Sequence, residues 1–128
     1  MANLTLFAYA QGTDLEPILE IVETKLDALV ASREWVSKDV WVVNQRFEGP
    51  PVEWDLGLNL AVAAPKTRPK NWLEDVTAIA SALGAVHAET GRAFVMGLHD
   101  AKANTTKDLF VVDVDAPDLE KVKSAFAG

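Results

Sequence analysis

The chain of 128 residues contains no cysteine, and its only histidines are His87 and His99. Disulfides, thiolate metal sites and a cysteine nucleophile are therefore excluded, and the chain does not look like a small secreted domain stabilised by disulfides. It also lacks any apolar run near the roughly 18 residues that a membrane span needs. Since 49% of its residues are hydrophobic, we expect one cytoplasmic globular domain over residues 1–128.

The apolar segment Leu4–Ala10 ends in Ala8-Tyr9-Ala10, which resembles a signal-peptidase site. However, no basic residue precedes it, and seven apolar residues make a short core for a signal peptide. Leu4, Leu6 and Ala8 also alternate with Thr5, Phe7 and Tyr9, which is a period of two. The segment is therefore interpreted as a β-strand.

Basic residues are few: 12 stand against 19 acidic ones, for a net charge of −7. The imbalance lies in residues 1–64, where ten acids and four bases give −6. Nucleic acid and anionic membrane are therefore poor partners, whereas a basic protein would be attracted. The alternative is that the acidity only keeps the protein soluble.

Hydrophobic periodicity predicts an α+β fold. Strands are expected at Leu4–Ala10, Val40–Phe47, Trp54–Val62, Phe94–His99 and Leu109–Val114, the last two joined by a polar loop, Asp100–Asp108. Helices are expected from a cap at Thr13 or Asp14 to about Ser32, from a cap at Asn71 paired with Glu74 to Gly84, and from Pro117 onward.

Residues 85–89 fit either an extension of the second helix or a short strand turning at Thr90-Gly91. The alternation of Val86 and Ala88 with His87 and Glu89 favours the strand. The predicted order is then β-α-β-β-α-β-β-β-α, a mainly antiparallel sheet with the helices packed on one face.

A hairpin across Val40–Val62 concentrates acids and aromatics at its tip, around Gly49-Pro50-Pro51. The residues are Phe47, Glu48, Glu53, Trp54 and Asp55. Such a tip suits binding a partner. Trp54 fits either an interface or the core, since it lies on the same strand face as the core positions Leu56 and Leu58. Trp41 and Trp72 are expected in the core.

The first predicted helix carries Glu16, Glu20, Glu23 and Asp27 on one stripe. Each adjacent like-charge pair costs about 0.2–0.5 kcal/mol, and Asp27 lies toward the negative end of the helix dipole. A stripe that costs stability suggests a basic partner, although a solvated helix face is an equal alternative. Three residues of this stripe, Glu20, Glu23 and Asp27, belong to the predicted partner-binding set, and its other members are Glu48, Glu53, Trp54 and Asp55.

Catalytic and metal-binding patterns are weak. His99, Asp100 and Asp108 flank one loop, but no second histidine, HExxH motif or calcium loop accompanies them, so no metal or cofactor is expected. Serine-nucleophile and phosphate-loop motifs are absent. Glu53 and Asp55 could act as acid and base only within a cleft that holds a third group. The chain is predicted not to be an enzyme.

Phe7 and Tyr9 lie on the strand face opposite Leu4 and Leu6. Either both faces of the sheet are covered, or an open face exposes aromatic side chains for a partner.

The segments Phe94–Asp100 and Lys107–Val112 resemble a strand–loop–strand pattern of small immunity proteins in bacterial polymorphic toxin systems. The resemblance implies a cytoplasmic, non-catalytic protein that binds one cognate toxin, here a basic one. Three alternatives stay open: a ferredoxin-like ligand-binding or regulatory domain that dimerises through its sheet, a small enzyme using Glu53, Asp55 or His99, and a subunit of a larger assembly.

Overall fold

The computed structural model describes residues 4–37, 39–64 and 66–127. The strands are β1 (Leu4–Ala10), β2 (Val40–Phe47), β3 (Glu53–Val62), β4 (Phe94–Asp100) and β5 (Thr105–Val112). The helices are α1 (Leu19–Ala31), preceded by the 3-10 turn Glu16–Ile18, α2 (Trp72–Thr90) and α3 (Leu119–Ala127). The predicted α+β class is confirmed.

The five strands form one antiparallel sheet in the order β2-β3-β1-β4-β5. The central strand β1 pairs with both β3 and β4. Strand β3 therefore lies between the strands of the unit β1-α1-β2, and β1 lies between the strands of the unit β3-α2-β4. This is the split arrangement of ferredoxin-like sheets, extended here by β5 and α3. The extension places a fifth strand, and hence a wider surface, beside β4.

One face of the sheet is covered by helices, as predicted. Along β3, Leu56, Leu58 and Leu60 are at most 1% exposed and belong to one core cluster with residues of all three helices. Their alternation with more polar neighbours follows from the pleat, which points successive side chains to opposite faces. The opposite face has no helix packed on it among the described elements.

The strand predicted at residues 85–89 is wrong, because α2 continues to Thr90 and ends at Gly91 with φ of +72°. Leu83 and Val86 extend the buried stripe of the helix at helical spacing, and this outweighs the local alternation. Gly84 lies inside the helix, where an added Cβ would lie 2.6 Å from Pro117 Cδ. This glycine permits a close approach of the chain before α3 and does not end the helix.

The ends of two elements and the capping of two helices also differ from prediction. Strand β5 starts at Thr105, so the connecting loop is only 101–104; the polar residues read as loop lie on an exposed edge strand. Asn71 does occupy the N-cap of α2, but it makes no side-chain capping bond. The first helix begins with the 3-10 turn at Glu16, and no side chain caps it. The Asp14 carboxylate, a predicted cap, instead accepts a hydrogen bond from Arg92 Nη1 at 2.9 Å. That bond lowers the pKa of Asp14 below its usual value.

The one buried charged side chain among the described residues is Asp75, in the first turn of α2. Its carboxylate accepts hydrogen bonds from Arg33 Nη2 at 3.1 Å and from the backbone N–H groups of Val36 and Ser37 at 2.9 and 2.8 Å. Buried carboxylates are stable when paired and hydrogen-bonded in this way. Asp75 therefore fixes the connection between α1 and β2 against α2.

Candidate functional site

The face of the sheet without helices, here called the open face, is the candidate site. The strand register assigns it Thr5, Phe7 and Tyr9 from β1, Trp41, Val43, Gln45 and Phe47 from β2, Glu53, Asp55, Gly57, Asn59 and Ala61 from β3, Val95, Gly97 and His99 from β4, and Thr106, Asp108 and Val111 from β5. It mixes aromatic, acidic and small residues, unlike the leucine-rich core face.

Two glycines flank the central strand on the open face. Gly57 pairs with Tyr9, and Gly97 pairs with Phe7. The Phe7 ring lies over Gly97, so that an added Cβ there would be 2.6 Å from Phe7 Cζ. Phe7 is consequently only 8% exposed although it is outside the helix-covered core. The result is a trough with an aromatic floor along β1.

Tyr9 and Asn59 connect the floor of the trough to the β3 side. The Tyr9 hydroxyl donates a hydrogen bond to Asn59 Oδ1 at 2.6 Å, and the rings of Tyr9 and Phe7 lie 5.3 Å apart. Burial raises the pKa of Tyr9, the hydrogen bond to Asn59 lowers it, and the charge of Asp55 raises it. The phenol therefore stays protonated at neutral pH, where it acts as a fixed donor.

Asp55 lies at one end of the trough, with Glu53 on the same strand and face. Burial raises the pKa of Asp55 above its usual value, and the nearby Glu53 charge raises it further. Both causes disfavour the ionised form of the Asp55 carboxyl group. A cation placed against Asp55 would relieve this cost.

The other side of the trough is polar. His99 Nδ1 and Thr106 Oγ1 are hydrogen-bonded at 2.8 Å, across the β4–β5 pair. Asp108 lies next to them on β5. The trough encloses about 440 Å³ between these groups and Asp55 and Asn59, above Thr5, Phe7 and Tyr9.

The open face is acidic and carries no basic counterpart. None of its described strand positions is lysine or arginine, whereas Glu53, Asp55 and Asp108 all lie on it. None of these three carboxylates takes part in an ion pair within the described residues. The face thus presents uncompensated negative charge around an aromatic floor.

The geometry leaves His99 far from the candidate acid–base pair Glu53 and Asp55, which lie near each other on the open face. His99 lies at the level of Thr5 and Ala61, whereas Asp55 is six residues further along β3. At about 3.4 Å per residue this separates the two by roughly 20 Å, far beyond the hydrogen-bonding reach that acid–base catalysis needs. Among the described residues no three His, Asp or Glu side chains cluster as metal ligands would.

The predicted partner-binding set is divided by the sheet. Glu53 and Asp55 lie on the open face, as described above. Glu20, Glu23 and Asp27 lie on α1, in the helix layer on the other side of the sheet. Glu23 is next to β2, where its Oε2 accepts a hydrogen bond from Asn44 Nδ2 at 3.4 Å. Glu48 lies at the hairpin tip and pairs with Arg46 Nε at 3.3 Å.

The tryptophans of β2 and β3 lie on opposite faces of the sheet, Trp54 in the core and Trp41 on the open face. Trp54 is 7% exposed, and its Nε1 donates to Asn44 Oδ1 at 2.7 Å. Its role as a partner-binding residue is corrected, since its parity with Leu56 points it toward the helices. Trp41, expected in the core, is 44% exposed on the open face. It lies opposite Asn59 in the register.

Several site residues were missed from sequence. Asn59, Thr106 and Asp108 line the trough from two different strands, and Trp41 lies on the same face of β2, so only the strand order places them on one surface. The sequence did show that Phe7 and Tyr9 lie on the same face of the first strand. That face was expected either to be covered or to be open with its aromatic side chains exposed.

Comparison with protein-family models, curated proteins and solved structures finds no match for the chain. Within the described part of the chain, no helix combines the length and the apolar character that crossing a bilayer requires.

Proposed function

We propose that this chain is a non-catalytic binding protein of the immunity type, which neutralises a cognate basic toxin through the open face of its sheet. The observation that carries the proposal is the set of uncompensated carboxylates, Glu53, Asp55 and Asp108, on a face without lysine or arginine strand positions. The absence of cysteine agrees with a cytoplasmic place of action, which is part of the proposal.

The chemistry of the trough favours a protruding basic segment as the element bound. Its floor is formed by Phe7 and Tyr9, and aromatic side chains attract cations through their ring faces. The acidic groups lie at its edges, where they steer an approaching basic surface and speed association. A lysine or arginine inserted near Asp55 would gain both an aromatic contact and an ion pair.

A homodimer through the same face is the second candidate, because the exposed apolar side chains Trp41, Phe47 and Val111 also lie there. In a symmetric dimer the same patch meets itself. Glu53, Asp55 and Asp108 would then face a second acidic set without a cation between them. This repulsion favours a basic partner over a second copy.

The test compares two double variants, Glu53→Lys/Asp108→Lys on the open face and Glu20→Lys/Glu23→Lys on α1. Each changes the net charge from −7 to −3, so any effect of total charge is the same in both. The candidate toxin is the product of the adjacent reading frame, and its affinity is measured by calorimetry alongside rescue of cell growth. We expect the open-face variant to lose at least about 100-fold in affinity, since like charges across an interface cost several kcal/mol.

The α1 variant is the matched control and should keep its affinity within about threefold, as expected for a charge outside the interface. Equal losses of affinity in both variants would mean that the net charge of the protein, and not the open face, determines binding. Full rescue of growth by the open-face variant would refute the open face as the binding surface. Sedimentation equilibrium of the wild-type chain tests the second candidate, because a homodimer would give twice the mass of one chain.

A further inference from the structure

One of the four arginines differs from the other three. Arg33, Arg46 and Arg92 each contact a carboxylate, on Asp75, Glu16 and Asp14, at 3.1, 2.7 and 2.9 Å. Arg68 forms no ion pair within the described residues, which include every Asp and Glu of the chain. In a protein with 19 acids and 12 bases, an arginine without a carboxylate partner is unexpected.

Arg68 is also held in place. Its Nε donates a hydrogen bond to the Ala63 carbonyl at 3.0 Å, and its Cζ lies 4.7 Å from the ring centroid of Trp72. Partial burial lowers the pKa of Arg68 below its usual value. The side chain is thus ordered and partly removed from water, which costs free energy that a paired anion would offset.

The guanidinium lines a cavity of about 310 Å³ between the end of β3 and the start of α2. The walls include the apolar side chains of Val36, Leu60, Val62 and Trp72. A mostly apolar cavity of this size with a few fixed polar groups is the usual form of a small-molecule site. It lies on the helix side of the sheet, separate from the open face.

The charges around the cavity permit an anion. Asp75 lines it, but that carboxylate is already bonded to Arg33, Val36 and Ser37. Asp39 also lines it and is exposed to solvent, where its charge is screened. From residue 56 to residue 73 the chain has no acid and three bases, Lys66, Arg68 and Lys70. The connector is therefore the basic segment of an acidic protein.

We propose that this cavity binds a small carboxylic acid with an apolar body, its carboxylate paired with Arg68 and its body packed against Trp72, Leu60 and Val62. Guanidinium and carboxylate are matched in geometry and can form two parallel hydrogen bonds. The apolar walls select against a phosphate or sulfate ion, which would leave them unfilled. This site does not depend on the function proposed for the open face.

The probe is phenylacetate, titrated into the full chain while the Arg Nε–H and Trp Nε1–H signals are followed by NMR. We expect saturable shifts of the Arg68 and Trp72 signals with a dissociation constant on the order of 1 mM, as is typical of a ligand with so few atoms. Phenylacetamide, a neutral analogue of the same shape, should bind at least about tenfold more weakly, because it lacks the charge that Arg68 recognises.

The variant Arg68→Gln should lose the phenylacetate shifts, whereas Arg92→Gln, which removes an arginine elsewhere, should retain them. The proposal is overturned by the absence of saturable shifts at about 20 mM phenylacetate, by equal binding of phenylacetamide, or by unchanged binding in Arg68→Gln. The first two outcomes use the wild-type chain alone, so they hold even if a variant fails to fold.

Discussion

The two faces of the sheet are built from the same strands and differ in what covers them. On β3, Leu56, Leu58 and Leu60 face the helices and are almost completely buried, whereas Asp55 and Asn59 face the open side. Burial of apolar side chains provides most of the stabilising free energy of folding. The open face contributes less to the core and can hold uncompensated charge. Stability and the proposed binding function are thus assigned to opposite sides of one sheet.

The acidic stripe of α1 sharpens this contrast. Glu20 and Asp27 are exposed on the outer side of the helix layer, away from the aromatic residues. In the same layer Lys25 pairs with Glu89 at 3.4 Å. Charge on α1 is therefore solvated and partly balanced, whereas charge on the open face surrounds an aromatic trough and forms no ion pair within the described residues.

The largest expected effect comes from comparing the two tryptophans on paired strands. Trp54→Ala should lower the free energy of unfolding by about 3–5 kcal/mol, because it empties a core site and removes the bond to Asn44. Trp41→Ala should lower it by less than about 1 kcal/mol, as for other partly exposed positions. Urea denaturation measures both values. Equal losses would mean that the open face is covered in solution.

Gly97→Ala tests the floor of the trough. The added Cβ would meet Phe7 and the Lys107 backbone carbonyl, so we expect a loss of about 1–3 kcal/mol in the free energy of unfolding, as for other overpacked sites. Val95→Ala, on the same strand and face, is the control and should cost less. An unchanged free energy of unfolding in Gly97→Ala would show that the Phe7 ring can shift to make room for the added methyl group.

The smallest expected effect concerns the charge of Asp55. Because its pKa is raised in the folded protein, the folded state binds the proton more tightly than the unfolded state. Ionisation of Asp55 therefore destabilises the fold as pH rises from the usual value of 3.8 through the raised value. Asp55→Asn should be slightly more stable than wild type at pH 7, by a few tenths of a kcal/mol, and this gain should vanish at low pH.

Thermal unfolding across pH measures this difference. In Glu53→Gln the raised pKa of Asp55 should move back toward its usual value, which an NMR titration of the Asp55 carboxyl detects, since Glu53 is the second cause of the shift. A wild-type chain that is more stable than Asp55→Asn at pH 7 would mean that an unrecognised cation already pairs with Asp55.

Most of the fold could be predicted from periodicity. The strands β1, β2 and β3 agree with prediction to within a residue, because their alternation extends over seven or more residues. The errors fall where local pattern and tertiary packing disagree. Residues 85–89 alternate like a strand but complete the buried stripe of α2, and Thr105–Asp108 are polar but pair with β4.

The candidate site was predicted only in part. Glu53 and Asp55 were identified because they lie near each other in sequence, and both lie on the open face. Trp41, Tyr9 and Asp108 come from separate strands, so no local pattern could join them. Glu20, Glu23 and Asp27 share a helix stripe, but the sheet separates them from Glu53 and Asp55.

The sequence by itself determined the secondary structure of most segments, the excess of negative charge and the absence of cysteine chemistry, because these depend on residue type and local spacing. Only the tertiary structure decided which face of each strand is covered. The strand order sets that choice: it placed Trp54 under the helices and Trp41 outside, and left three carboxylates around an aromatic trough. The tertiary structure also placed Arg68 beside a cavity, with no ion pair to it among the described residues.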